Sequence, residues 1–283
     1  MTGLSRRFAS GGRLVSSAVV VFSIAWCAWK GEMQAATLAN KNTTIGLDLT
    51  TPGGVAGMNS WVVDGVNQMA QQWFWYRVGA AGPESDLTAL GAPVISQAFP
   101  QQLAVTYSSP QYSVRVSYLL AGGAAGSGNS GFTESVTLFN NTAAPVAFHF
   151  FEYTRLNLLS TVGGQSVTIP FDGTGFNNVR QTLGLTTFTA NGTYPNEVEA
   201  APFNQTLGKL TDANPTTLNG NPSAGPGDVT WAWEWDFTIG ANDNKIISLN
   251  NNLVTVVPEP SALAFIAVGL GALLLRRRGE KAN

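Results

Sequence analysis

Stretches of two-residue alternation set between turn-forming residues constrain this chain more than any other feature. In "QQLAVTYSSPQYSVRVSYLLAGG", Val114, Val116 and Leu120 fall on one face of an extended backbone and Arg115, Ser117 and Leu119 on the other. That is the signature of a strand with one buried side. "GFTESVTLFNN" repeats it: Phe132, Val136 and Leu138 share a face that Glu134 interrupts. "VAFHFFEYTRL" is denser in aromatics and reads as buried on both sides. Pro52-Gly53-Gly54, Gly91-Ala92-Pro93, Gly122-Gly123, Asn140-Asn141, Gly163-Gly164 and Asn219-Gly220 punctuate the chain at short intervals. No fixed repeat appears, which excludes the usual solenoid and propeller signatures. The pattern predicts an all-β fold, an antiparallel β-sandwich with the large supersandwich as one form of it. Val66–Gln72 reads as one helical turn, Gly122–Gly131 as a hairpin tip, and Thr189–Gly227 as a long loop rich in Asn, Pro, Thr and Gly.

The two ends are different. Arg6, Arg7 and Arg13 precede an uncharged run, Leu14 to Trp29, and then "KGEMQAATLA". This is the layout of a secretory signal peptide, with cleavage expected after Ala35 and Ala36 or Ala39 as alternatives. An uncleaved N-terminal membrane helix is the competing reading; Trp26 before Cys27 argues against a lipoprotein. The expected organisation is a signal peptide over 1–35, an exported domain over 36–257 and a tail over 258–283, with a signal helix and a short transmembrane helix flanking the β domain. Cys27, the only cysteine, falls in the leader, so the domain must hold together without disulfides; its 222 residues are enough for one large core. A hydrophobic fraction of 44% fits a globular rather than a disordered chain. Between Ala36 and Val257 stand 14 acidic and 7 basic side chains, a balance of −7. With the basic residues scattered singly, this argues against nucleic acid as a partner.

Three groups of residues could carry chemistry. In "QQWFWYRVG", Trp73, Trp75 and Arg77 point one way; in "TWAWEWDFTIG", Trp231, Trp233 and Trp235 share a face opposite Glu234 and Asp236. Such rows are either a stacking platform for sugar rings or a core of large aromatics, and the polar opposite face of the second row favours the core. Glu234 and Asp236 lie about 7 Å apart along one strand face. Glycosidase carboxylates stand about 5–9.5 Å apart, but a solvated sheet face is the expected reading of the pair. His149, the sole histidine, sits opposite Phe148 and Phe150 and is expected packed or partly exposed. No G-x-S-x-G surrounds a serine, and one histidine without a mature cysteine disfavours zinc or copper. No cofactor is expected. Calcium is the metal with a case, through the oxygen-rich segments 171–178, 211–221 and 241–245.

The C-terminus holds the most specific pattern. Pro258, Glu259 and Pro260 keep the chain extended; Ser261–Leu275 is an uncharged stretch of 15 residues; Arg276, Arg277 and Arg278 follow. As a helix the stretch spans about 22 Å, short of a hydrocarbon core about 30 Å thick. The arginines set its orientation by the positive-inside rule. In this order, at the chain end, the motif resembles the PEP-CTERM sorting tails of bacterial exported proteins. The resemblance implies recognition by an exosortase, processing near Pro258–Pro260, passage through the secretion machinery, transient inner-membrane anchoring, and delivery to the outer surface or an exopolysaccharide matrix. "WVVDGVNQMAQQWFWYRVG" and "GDVTWAWEWDFTIG" look like segments of exported proteins with the same tail. Similar tails occur on proteins labelled ice-binding, but Thr187-Phe188-Thr189 is isolated here. The leading expectation is a non-enzymatic surface or matrix protein, and the runner-up is a carbohydrate-binding module or glycoside hydrolase.

Overall fold

The computed structural model describes residues 34–256. Residues 1–33 of the expected signal peptide lie outside them, as do Pro258, Glu259, Pro260, the expected short transmembrane helix and Arg276–Arg278. In chain order the strands are β1 (Ala35–Asn40), β2 (Thr43–Asp48), β3 (Gly57–Val63), β4 (Val66–Asn67), β5 (Met69–Val78), β6 (Ser85–Asp86), β7 (Val94–Ser96), β8 (Gln102–Ser108) and β9 (Tyr112–Gly122). They continue as β10 (Asn129–Asn140), β11 (Val146–Leu156), β12 (Gln165–Thr168), β13 (Asn178–Leu183), β14 (Thr186–Gly192), β15 (Glu197–Pro202), β16 (Ser223–Gly227), β17 (Val229–Ile239) and β18 (Asn244–Thr255). Among the described residues one α-helix, α1 (Gln205–Leu210), and two short 3-10 turns, Leu87–Leu90 and Leu158–Ser160, interrupt them. Among the described residues no helix is long and apolar enough to cross a membrane.

The strands make two nine-stranded antiparallel sheets. The first runs β1-β2-β3-β5-β11-β17-β15, with β4 on β3 and β6 on β5; the second runs β16-β12-β13-β14-β18-β10-β9-β8-β7. Their facing surfaces form the core. Phe188 of the second sheet stacks on Trp231 of the first at 6.1 Å, and Phe132 meets Trp61 edge-on at 5.0 Å. Trp231, Trp233 and Trp235 form a continuous edge-packed row inside this layer, with ring centres 5.1 and 5.9 Å apart. The alternation read from β9 and β10 holds: Val114, Val116, Leu120, Phe132, Val136 and Leu138 are all buried.

Two expectations fail. Val66–Gln72 is not a helical turn but the end of one hairpin and the start of a central strand. Asp64 and Gly65 both take positive φ (49° and 83°) between paired Val63 and Val66, the backbone of a two-residue hairpin turn. The stretch Thr189–Gly227 is not one loop; it contains the end of β14, all of β15, α1 and β16. The composition of β15 is too polar and too short to announce a strand. Pairing of Val198 with Trp233 and Ala200 with Trp231 makes it one.

Candidate functional site

The outward face of the first sheet carries the densest set of ionisable groups. Register assembles it row by row. Arg77, His149 and Asp236 lie side by side on β5, β11 and β17; Trp75, Phe151, Glu234 and Glu197 form the next row across β5, β11, β17 and β15. The expected solvated face is corrected here: Glu234 is fully buried. The segment between β15 and β16 folds back over it, and three carboxylates pin that segment down. Glu234 Oε2 accepts from the Leu218 N–H at 2.7 Å. Glu84 Oε1 accepts from the Thr216 N–H at 2.8 Å. Glu199 accepts from Thr206 Oγ1 at 2.7 Å and from the Asn219 N–H at 3.1 Å. Lys209 Nζ closes on Glu199 Oε2 at 2.5 Å. Arg77 is fully engaged, donating to Glu84 at 2.8 Å, the Gly79 carbonyl at 2.7 Å and the Thr216 carbonyl at 3.1 Å.

His149 and Asp236 remain partly open, with side chains 22% and 37% exposed. His149 Nδ1 lies 2.5 Å from Asp236 Oδ1 and 3.9 Å from Glu234 Oε1. That second oxygen of Glu234 has no hydrogen-bond partner. Loss of water around Glu234 pushes its carboxyl up to about 8, with Asp236 and Glu197 adding to the shift and the Leu218 N–H and Arg77 opposing it. The best-spaced carboxylate pair in the sequence is thus one buried acid and one partly exposed partner, with the only histidine between β5 and β17 beside both.

None of the five singled-out tryptophans presents a ring to solvent: Trp73, Trp75, Trp231, Trp233 and Trp235 are all core residues. Trp75 lies on the outward face but is covered there by Gly54 of the β2–β3 loop, on which a Cβ would come within 3.3 Å of its ring and within 2.8 Å of Thr211 of the covering segment. The exposed aromatics among the described residues, Phe99, Phe171 and Tyr194, are elsewhere and went unnoticed in the sequence. Phe171 is 60% and Tyr194 47% exposed. Asp172 accepts from Tyr194 Oη at 2.8 Å, and Thr174 Oγ1 bonds the same hydroxyl at 2.5 Å. These bonds and those from the Thr174 and Gly175 N–H groups hold the Asp172 carboxyl below its usual range. The Tyr194 loop continues into Asn196, whose N–H donates to the Glu234 carbonyl and whose Oδ1 accepts from the Asp236 N–H. The loop of Tyr194 is therefore anchored on the strand of Glu234 and Asp236, and the separate β12–β13 loop of Phe171 is tied to it through the Asp172–Tyr194 and Thr174–Tyr194 bonds. Aromatics flanked by Gly, Asn and Thr in "FDGTGFNN" and "NGTYPNE" were the available signal. In the oxygen-rich segments Asp172, Asp212 and Asp243 all accept hydrogen bonds from local turns.

A second cluster lies between the sheets. Gln72 Nε2 donates to Glu134 at 2.9 Å and to Glu152 at 3.0 Å, and Asn251 donates to Glu134 at 3.1 Å. Burial pushes Glu152 up to about 7 and Glu134 well above its ordinary value, the latter raised further by Glu152. Both are sealed from solvent.

No protein-family model and no curated protein sequence matches the chain. The chain is similar to several solved structures. A bacterial glucoamylase complexed with acarbose superposes with a TM-score of 0.53 at 7% identity, over 84% of this chain and 36% of that one. A galactose mutarotase-like protein from Lactobacillus casei ATCC 334 gives a TM-score of 0.44 at 12% identity, over 78% of this chain and 100% of that one. The chain thus spans about a third of the glucoamylase's length, and what the two share is the arrangement of the sheets.

Proposed function

We propose that this chain is an exported protein of a bacterial surface or extracellular matrix that holds polysaccharide through the loops beside the His149–Asp236 pair. The observation that carries the reading is the pair of exposed rings, Phe171 and Tyr194, next to an ionised Asp172. Flat rings cover the apolar faces of sugars while carboxylates accept from their hydroxyls. The acidic domain and its Asn-, Thr- and Ser-rich surface suit a neutral, hydroxyl-rich ligand. The fold shared with a glucoamylase that was complexed with acarbose agrees with a carbohydrate ligand, and the Pro258-Glu259-Pro260 tail agrees with sorting by an exosortase into an exopolysaccharide layer.

Retardation of the protein in gels containing bacterial exopolysaccharide tests the binding. Tyr194→Ala and Phe171→Ala should each weaken it by about 0.5–1.5 kcal/mol, roughly 2- to 12-fold, at unchanged melting temperature. Undiminished retention in the double variant refutes the assignment. Release of reducing ends that disappears in Glu234→Gln would instead make the chain a hydrolase working from the Glu234–Asp236 pair.

A further inference from the structure

We propose that His149, Glu234 and Asp236 form a binding site for one divalent transition cation of the zinc class. One ligand atom from each residue lies within 4.8 Å of the other two. The three come from neighbouring strands, β11 and β17, whose register places His149 directly opposite Asp236 and one step from Glu234. The scaffold is therefore rigid, and only side-chain torsions need adjust. Zinc bonds to nitrogen and oxygen are about 2.0–2.2 Å long, so ligand atoms on one ion stand roughly 3–3.5 Å apart. The 2.5 Å side of the triangle would open slightly and the 3.9 Å side would close slightly.

A second observation points to a ligand. Glu234 Oε1 is buried without any hydrogen-bond partner, while Oε2 is fixed by the Leu218 N–H. The free oxygen is the one 3.9 Å from His149 Nδ1, so it is aimed into the gap between the three groups. An orphaned buried carboxylate oxygen is costly, and a cation is the partner that would satisfy it together with Asp236. The surroundings are acidic. Glu197 lies opposite Glu234 on β15, and Arg77, the nearest cation, is already paired with Glu84. The part-exposed edges of His149 and Asp236 give an entry path and leave a coordination position facing solvent. An imidazole nitrogen with two carboxylates suits zinc, manganese or nickel; calcium and magnesium prefer all-oxygen sets. This reverses the expectation drawn from a single histidine, because a strand pair can supply the two carboxylates that cysteines supply elsewhere.

The test uses the full-length protein stripped with chelator, titrated with Zn²⁺ by calorimetry and with Co²⁺ by visible absorption. One equivalent should bind, and Co²⁺ should develop ligand-field bands. His149→Ala, Asp236→Asn and Glu234→Gln should each weaken Zn²⁺ binding by more than the roughly 10–100-fold that loss of a mere outer-shell partner costs. Zn²⁺ should raise the melting temperature of the wild type alone. Asp236 is open enough that its asparagine variant should melt like the metal-free wild type, which separates lost binding from lost folding. Absence of stoichiometric binding in the wild type, or binding undiminished in Asp236→Asn and His149→Ala, overturns the proposal. The saccharide reading stands apart from it: Tyr194→Ala should bind Zn²⁺ normally, and polysaccharide retention is scored separately in the same samples.

Discussion

Glu134 and Glu152 occupy positions in the inter-sheet core where apolar side chains are the rule, and they share one amide donor from Gln72. Two carboxyls so placed cannot both ionise cheaply. Their folded-state affinities for protons exceed those of the unfolded chain, so their contribution to stability is complete below the ordinary glutamate value of 4.5 and is lost as pH rises toward about 7 for Glu152. Compared with the wild type, Glu152→Gln should remove a fall in stability of about 3 kcal/mol between those limits. Chemical denaturation at pH 4.5 and pH 7 measures it; a variant with the same pH slope as the wild type would exclude Glu152 as the source. In the sequence Glu134 is visible as an interruption of an apolar face. Its partner Glu152, distant in the chain, is not, because only the stacking of the two sheets brings them together.

At the scale of elements, the junction between β3 and β5 is the narrowest in the first sheet, with Met58 and Gln72 its only paired residues. Gly57 makes that junction. Its φ is 122°, and a Cβ there would collide with the Gln72 carbonyl oxygen and lie 2.8 Å from Trp73 Cβ. Gly65, in the neighbouring hairpin turn, also has positive φ but open space around it. Gly57→Ala should therefore destabilise by about 2–4 kcal/mol, from strain and overpacking together, and Gly65→Ala by about 1. Thermal melts of the two variants check the ranking, and equal losses would show that backbone conformation alone, not the contact with β5, sets the cost. Asp64-Gly65 between apolar residues carried a hairpin signal that the reading of Val66–Gln72 as a helical turn passed over. The covering segment between β15 and β16 was not legible, since its only buried apolar anchors, Leu210 and Leu218, are isolated in a polar stretch and the rest is held by hydrogen bonds to Glu84, Glu199 and Glu234.

For the whole molecule, the described residues form a cysteine-free body with a core of large aromatic and aliphatic side chains between two nine-stranded sheets, broken by the Gln72–Glu134–Glu152–Asn251 cluster. β1 bears on where a leader could be cut. Leu38 is fully buried and pairs with Ile45, so cleavage after Ala39 would remove a core residue, whereas cleavage after Ala35 would leave the strand nearly whole. We expect the mature N-terminus at Ala36 and no peptide from Ala262 to Asn283 in protein extracted from its native envelope, both read by mass spectrometry. An intact C-terminus as the main species would refute processing at the Pro258-Glu259-Pro260 motif and favour a lasting anchor.

The sequence by itself determined the strand alternation, most of the turns, the all-β class and the inward direction of the Trp231, Trp233 and Trp235 row, because side-chain parity along a strand is a local property. Tertiary structure alone decided which strand face becomes a site. Glu234 reads as solvated from its own strand, but the covering segment takes it out of water and the pairing of β11 with β17 brings His149 beside it. Register between segments more than 80 residues apart is fixed by the packing of the whole core, which no window of neighbouring residues contains.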